Sequence, residues 1–204
     1  MIYELRTYAF KPGTIPQWEE RLAALLPVRE QFSKLLACWR MEIGPMNQAV
    51  HIWPYEDLAH RTKVREGATN HPDWPPHLSD ICIGMESEIY LAPPFKPPLP
   101  AGEYGPFYEL RRYRYQVGSM PTVLERWAES LPAREKLSPV AALLYSEIGP
   151  VNTLVHIWPY KDLNERARVR AEAGKLSNWP PRTREFQIKQ ENCILLPASF
   201  SPWR

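Results

Sequence analysis

Apolar and polar side chains alternate along residues 2–8, IYELRTY, and the stretch is rich in aromatic and β-favouring residues, so it reads as a strand. Lys11-Pro12-Gly13-Thr14 then punctuates the chain, with Thr14 placed to cap the next helix. Trp18, Leu22, Leu25, Leu26 and Phe32 recur at helical spacing, and Pro27 is expected to kink or split that helix. Residues 37–43 and 48–54 read as strands joined by Gly44-Pro45-Met46-Asn47, a turn signal that makes them a hairpin. A second helix is expected from about Tyr55 through Val64, with Asp57 suiting the positive end of its dipole. Residues 70–76, NHPDWPP, read as irregular or as the start of a broken helix, and Ile83 to Leu91 as a last strand.

The same pattern then runs a second time. VHIWPY stands at residues 50–55 and again at 155–160, and the surrounding chain aligns at that offset without a gap. Tyr3-Glu4-Leu5-Arg6 and Tyr8 return as Tyr108-Glu109-Leu110-Arg111 and Tyr113. Pro27-x-Arg29-Glu30 returns as Pro132-x-Arg134-Glu135, and Val64-Arg65 and Trp74-Pro75-Pro76 also have partners. A period this long is a whole small domain, so the chain is a tandem duplication. Each half reads β-α-β-β-α-β, the split βαβ order of ferredoxin-like domains. We place the domains at residues 1–95 and 107–204, with 96–106 as a Pro-rich linker of semi-rigid, extended geometry.

A four-stranded sheet with helices on one face leaves the other bare, and a second copy can cover it. The expected class is therefore α+β, two tandem ferredoxin-like domains pairing as a dimeric α/β-barrel. The halves pair with each other, or each with a copy in a second chain as a homo-oligomer.

Strand alternation sorts the candidate chemistry. Tyr3 and Leu5 share one face, and Glu4, Arg6 and Tyr8 the other; Val50 and Ile52 likewise oppose His51 and Trp53. We expect the aliphatic set under the helices and the polar set between the two sheets. The candidate ligand-binding residues are thus Glu4, Arg6, Glu42, His51, Trp53 and Glu86, repeated as Glu109, Arg111, Glu147, His156, Trp158 and Glu191. Asn47 and Asn152 are marginal members, since asparagine in a hairpin turn has a backbone reason. A histidine beside carboxylates would titrate near or above neutrality and could move a proton. The competing reading is a buried polar network that only holds two sheets together. An inter-sheet cavity of several hundred Å³ with His51 on its wall would favour a ligand site, and a collapsed, ion-paired interior the structural role.

Composition narrows the partners. A net charge of +2, with acids and bases intermixed, does not suggest nucleic acid. No apolar run approaches the roughly 20 residues of a membrane span. Each half repeats only one histidine, so no metal site and no cofactor are expected; His60, His71 and His77 read as surface or loop residues. Cys38, Cys82 and Cys193 are odd in number and find no cysteine in the other half, which argues against disulfides and for a reducing cytoplasm. The chain opens directly on MIYELRTY, where we expect neither a signal nor a transit segment. Trp74 and its copy either plug a barrel end or offer a partner surface.

YELRxY at the head of each half, the EIGPxNxxVHIWPY hairpin and the DLxxR after it resemble the NIPSNAP family over both halves. The resemblance implies the dimeric α/β-barrel class, with two sheets face to face and helices outside. Some eukaryotic members are mitochondrial and linked to mitophagy signalling, and the family has no agreed enzymatic activity. The residues admit three readings. The first is a non-enzymatic module binding a small organic ligand or a protein partner. The second is a cofactor-independent enzyme, monooxygenase- or isomerase-like, with its polar site between the sheets. The third is a purely structural pseudo-dimer.

Overall fold

Residues 2–10 and their copies build strands in the order the alternation predicts. A computed structural model describes residues 1–204. Its elements are β1 (Ile2–Phe10), α1 (Ile15–Arg29), β2 (Ala37–Ile43), β3 (Gln48–Tyr55), α2 (Leu58–Thr69) and β4 (Cys82–Leu91). The second half gives β5 (Phe107–Tyr115), α3 (Met120–Glu135), β6 (Ala142–Ile148), β7 (Thr153–Tyr160), α4 (Leu163–Ala173) and β8 (Gln187–Pro197). Each half is an antiparallel ferredoxin-like sheet, and β2 pairs with β8 while β4 pairs with β6. The halves therefore pair within one chain, and the eight strands close into a barrel with no free edge. No helix is long and apolar enough to cross a membrane.

Local expectations fare unevenly. The hairpin turns form as expected, with Asn47 and Asn152 in the left-handed region at φ 56° and 55°. Asp57 caps α2, its carboxylate accepting from the His60 amide at 2.7 Å. Helix α2 runs past Val64 to Thr69. Helix α1 is not split but continues through Pro27 to Arg29, although proline has no amide to donate to the Ala23 carbonyl. Thr14 does not cap with its side chain: its hydroxyl donates to the Lys11 carbonyl at 2.8 Å.

The alternation is right in parity and inverted in direction. Tyr3, Leu5, Val50 and Ile52 join Tyr108, Leu110, Val155 and Ile157 inside the barrel. Trp53 packs instead with Trp18, Leu22 and Leu26 beneath α1, and Glu4 and His51 share that outer, helix-covered face. The physical reason lies on the helices. Arg29 from α1 and Arg61 and Arg65 from α2 bring charge to the outer face, whereas the closed interior receives only the other sheet. The polar set belongs where counter-charges can reach it.

One barrel end is shut by Trp203, fully buried and stacked on Tyr108 at 6.4 Å between ring centres. Its indole donates to the Pro100 carbonyl at 2.9 Å. The Gly102 amide donates to the Pro202 carbonyl at 3.0 Å, the Gly102 carbonyl accepts from the Arg204 amide at 3.1 Å, and the Leu99 amide donates to the Ala141 carbonyl at 2.8 Å. The Pro-rich stretch is thus bound across the barrel end rather than strung between halves as a tether. Trp203 is the plug expected of Trp74, which lies under the helices instead.

Candidate functional site

Each half carries a pocket between its own sheet and helices. In the N-terminal half it encloses about 280 Å³, walled by Tyr8, Trp18, Trp53 and Trp74, with Arg6, Arg29, Arg65 and His51 among the polar groups. In the C-terminal half it encloses about 320 Å³ around Arg111, Arg134, Arg170, His156, Trp158 and Trp179.

Register places these groups. Arg6 lies opposite His51 on the β1–β3 ladder, and Glu4 opposite Trp53, so four of the expected residues come together. The Trp53 indole donates to Nδ1 of His51 at 2.5 Å, and Trp158 to Nδ1 of His156 at 2.6 Å. An accepting Nδ1 leaves the ring proton on Nε2. Both Nε2 atoms are buried without a hydrogen-bond partner. Burial, followed by the nearby Arg6 charge, pushes His51 down to about 3. Burial and Arg111 likewise hold His156 well below its usual value. The expectation of a histidine near neutrality therefore fails: desolvation and arginines outweigh the carboxylate, and both rings are neutral donors at physiological pH.

Glu4 is fully buried, and its Oε1 accepts from Arg6 at 2.9 Å, Arg61 at 2.6 Å and Ser87 at 2.6 Å. Burial alone would raise its pKa, but hydrogen bonds from Arg61 and Ser87 and the charges of Arg6 and Arg61 hold it down at about 2. Glu109 is lowered for the same reasons, with Arg166 and Arg111 as partners.

Arg29 differs from the other arginines. It is 4% exposed, donates only to Ser33 at 2.8 Å and Tyr55 at 2.9 Å, and sits over the Trp53 ring at 4.3 Å. Arg134 repeats this with Ser138, Tyr160 and Trp158. Both guanidiniums are buried without a carboxylate partner, and burial lowers the pKa of each. An unpaired buried cation is costly unless an anion joins it.

The other expected residues stand apart. Glu42 and Glu147 are exposed at the ends of their hairpin strands. Glu86 and Glu191 are exposed as well, lining a separate hollow of about 750 Å³ at the barrel mouth away from Trp203. Alternation counted from the helix side puts them on the opposite face from His51. Arg29, Arg65, Tyr8 and Trp74 line the pocket but were absent from the expected set. Their signal was in the repeat itself, since all four return at the same offset in the second half. No group of three or more His, Cys, Asp or Glu is arranged to hold a metal ion.

Residues 3–97 and 108–202 each match the family model described as NIPSNAP. Protein NipSnap homolog 3B of Homo sapiens is 32% identical, with 98% of this chain and 85% of that protein aligned. Protein NipSnap homolog of Dictyostelium discoideum is 31% identical over 87% of this chain and 78% of its own length. The crystal structure of a putative monooxygenase from Fusobacterium nucleatum superposes with a TM-score of 0.69 over 97% of this chain and 92% of that one, at 9% identity, a likeness of fold alone. With two copies of the domain in one polypeptide, this chain belongs to the NIPSNAP family.

Proposed function

We propose that this protein is a binding module, each half of which holds a small organic anion in its sheet–helix pocket. The observation that carries the reading is the pair Arg29 and His51, copied as Arg134 and His156: a buried guanidinium without counter-charge beside a buried, unpartnered Nε2–H on the wall of one cavity. Anionic oxygens would satisfy both at once, and the tryptophans would cover an aromatic or aliphatic body. The volumes sit at the low end for ligand pockets, which suits a molecule of one ring or a short chain. A histidine locked neutral serves as a fixed donor in this scheme. Three free cysteines fit a reducing compartment, and we place the chain in the cytoplasm.

The test is isothermal titration of the full chain with a series of small carboxylic acids. A charge-assisted hydrogen bond contributes about 1.5–3 kcal/mol, so His51→Ala or Arg29→Gln should weaken binding at the N-terminal site by roughly ten- to a hundredfold. No acid binding to the wild type, or binding indifferent to the double variant Arg29→Gln/Arg134→Gln, refutes it.

A further inference from the structure

The two pockets share their arginines and histidine but not their walls. Leu78 and Met85 line the N-terminal pocket, and the aligned positions in the C-terminal pocket are Thr183 and Gln190. Leu22 gives way to Trp127, whose ring lies 4.7 Å from His156. Ser79 gives way to Arg184, which lines only the C-terminal pocket, together with Gln187. One pocket thus presents three arginines and an apolar surround, the other four arginines, an amide-bearing rim and the carboxylate of Glu109, which Arg111 and Arg166 already engage.

We propose that the two sites bind different classes of anion. The N-terminal site takes a monocarboxylate with an apolar body, and the C-terminal site a compact dianion. This rests on the anion-binding reading above. A single carboxylate bridging Arg29 and His51 satisfies the N-terminal pocket, and Leu78, Met85, Trp18 and Trp74 then offer only apolar contacts to the remainder of the ligand. A second anionic group there meets only Arg6 and Arg65, which the Glu4 carboxylate already engages at 2.9 and 3.6 Å, and would lose its water for little return. In the C-terminal pocket, Arg184, Thr183 and Gln190 supply that second set of donors. An apolar body would instead lie on buried Thr183 and take water from the exposed rim groups Arg184 and Gln190 without offering them an acceptor, and such a mismatch discriminates more sharply than a missing methylene does.

Each pocket has its own reporter, because the Trp53 indole N–H is donated to His51 and the Trp158 indole N–H to His156. Two-dimensional 15N NMR of the full chain therefore reads the sites separately in the wild-type protein, with Trp53→Phe and Trp158→Phe assigning the signals. The probes are phenylacetate and succinate. Phenylacetate should shift the Trp53 indole and succinate the Trp158 indole, each with at least about tenfold preference over the other site. The double variant Leu78→Thr/Met85→Gln should raise succinate affinity at the N-terminal site, and that rim change leaves the buried arginines in place. Both acids titrating both indoles with equal affinity would overturn the division while leaving anion binding intact, as would a reversed preference. Neither acid shifting either indole would overturn both.

Discussion

Replacing Glu4 by glutamine tests the electrostatics of the outer face most directly. The wild-type carboxylate is fully buried and gathers Arg6, Arg61 and Ser87 on one oxygen, with Arg65 at 3.6 Å. Glutamine keeps the volume and one accepting oxygen but removes the charge. Breaking a buried pair by deleting one partner costs about 3–5 kcal/mol. Arg61 and Arg65 keep 23% and 42% of their side chains in solvent, so the lower end applies. The depressed ionisation gives the same scale: a fall from 4.5 to about 2 converts to about 3 kcal/mol. For a chain of this length that lowers Tm by roughly 6–12 °C. The pH dependence has a definite sign. A carboxylate held below its unfolded value stabilises above about 4.5, and the contribution drains away as pH falls towards about 2. Urea denaturation from pH 7 to pH 2.5 should therefore show wild type and Glu4→Gln well separated at neutrality and converging in acid. Urea is preferred because guanidinium salt would screen the pairs. Exposed Glu42→Gln serves as the control and should stay within about 0.5 kcal/mol of wild type. A Glu4→Gln midpoint as close as that control's, or a gap that persists unchanged in acid, refutes the reasoning.

Other sites give further expected outcomes. His51, held at about 3 against an ordinary 6.5, binds its proton more readily unfolded than folded, so stability should fall as pH drops from about 6.5, and His51→Gln should flatten that slope in urea titrations. Arg112 on β5 grips Glu88 on β4 through two hydrogen bonds of 3.2 and 2.8 Å, an ion pair between the halves. Arg112→Met should cost about 2–3 kcal/mol by denaturation, discounted for an arginine 25% exposed, and no loss would show that the pair adds nothing to holding the halves together. Residues 1–95 alone would bare the inner face with Leu5, Trp39, Val50, Ile52 and Tyr90, and should associate in light scattering; a stable monomer would count against the need for a covering sheet.

Much of this molecule was legible in one dimension. The offset between the two VHIWPY segments establishes a duplication, and period-two and period-3.6 patterns place strands and helices within a few residues. Gly44 and Asn47 mark their turn because few residues tolerate those backbone angles, and Asp57 marks its helix because a carboxylate satisfies an orphan amide. Such signals are local: the physics that sets them involves neighbours along the chain. The parity of each strand is local too, which is why Glu4, Arg6, His51 and Trp53 were grouped correctly.

What lay across each face was not local. Strand alternation separates two faces but does not say which one meets helices, and both faces here carry large side chains. The decision came from α1 and α2, whose Arg29, Arg61 and Arg65 can reach Glu4 and His51 only after the chain has folded back on itself. The same limit misplaced Glu86 and Glu191, which share a strand with site residues yet face the barrel mouth, and it hid Trp203, a plug brought to Tyr108 and Pro100 from the far end of the chain. Residue order alone therefore settled the repeat, the elements and which side chains share a face along β1 and β3. Only closure of the barrel decided which face is dry, where the arginines converge and where a ligand has room, because burial and counter-charge are properties of groups distant in sequence.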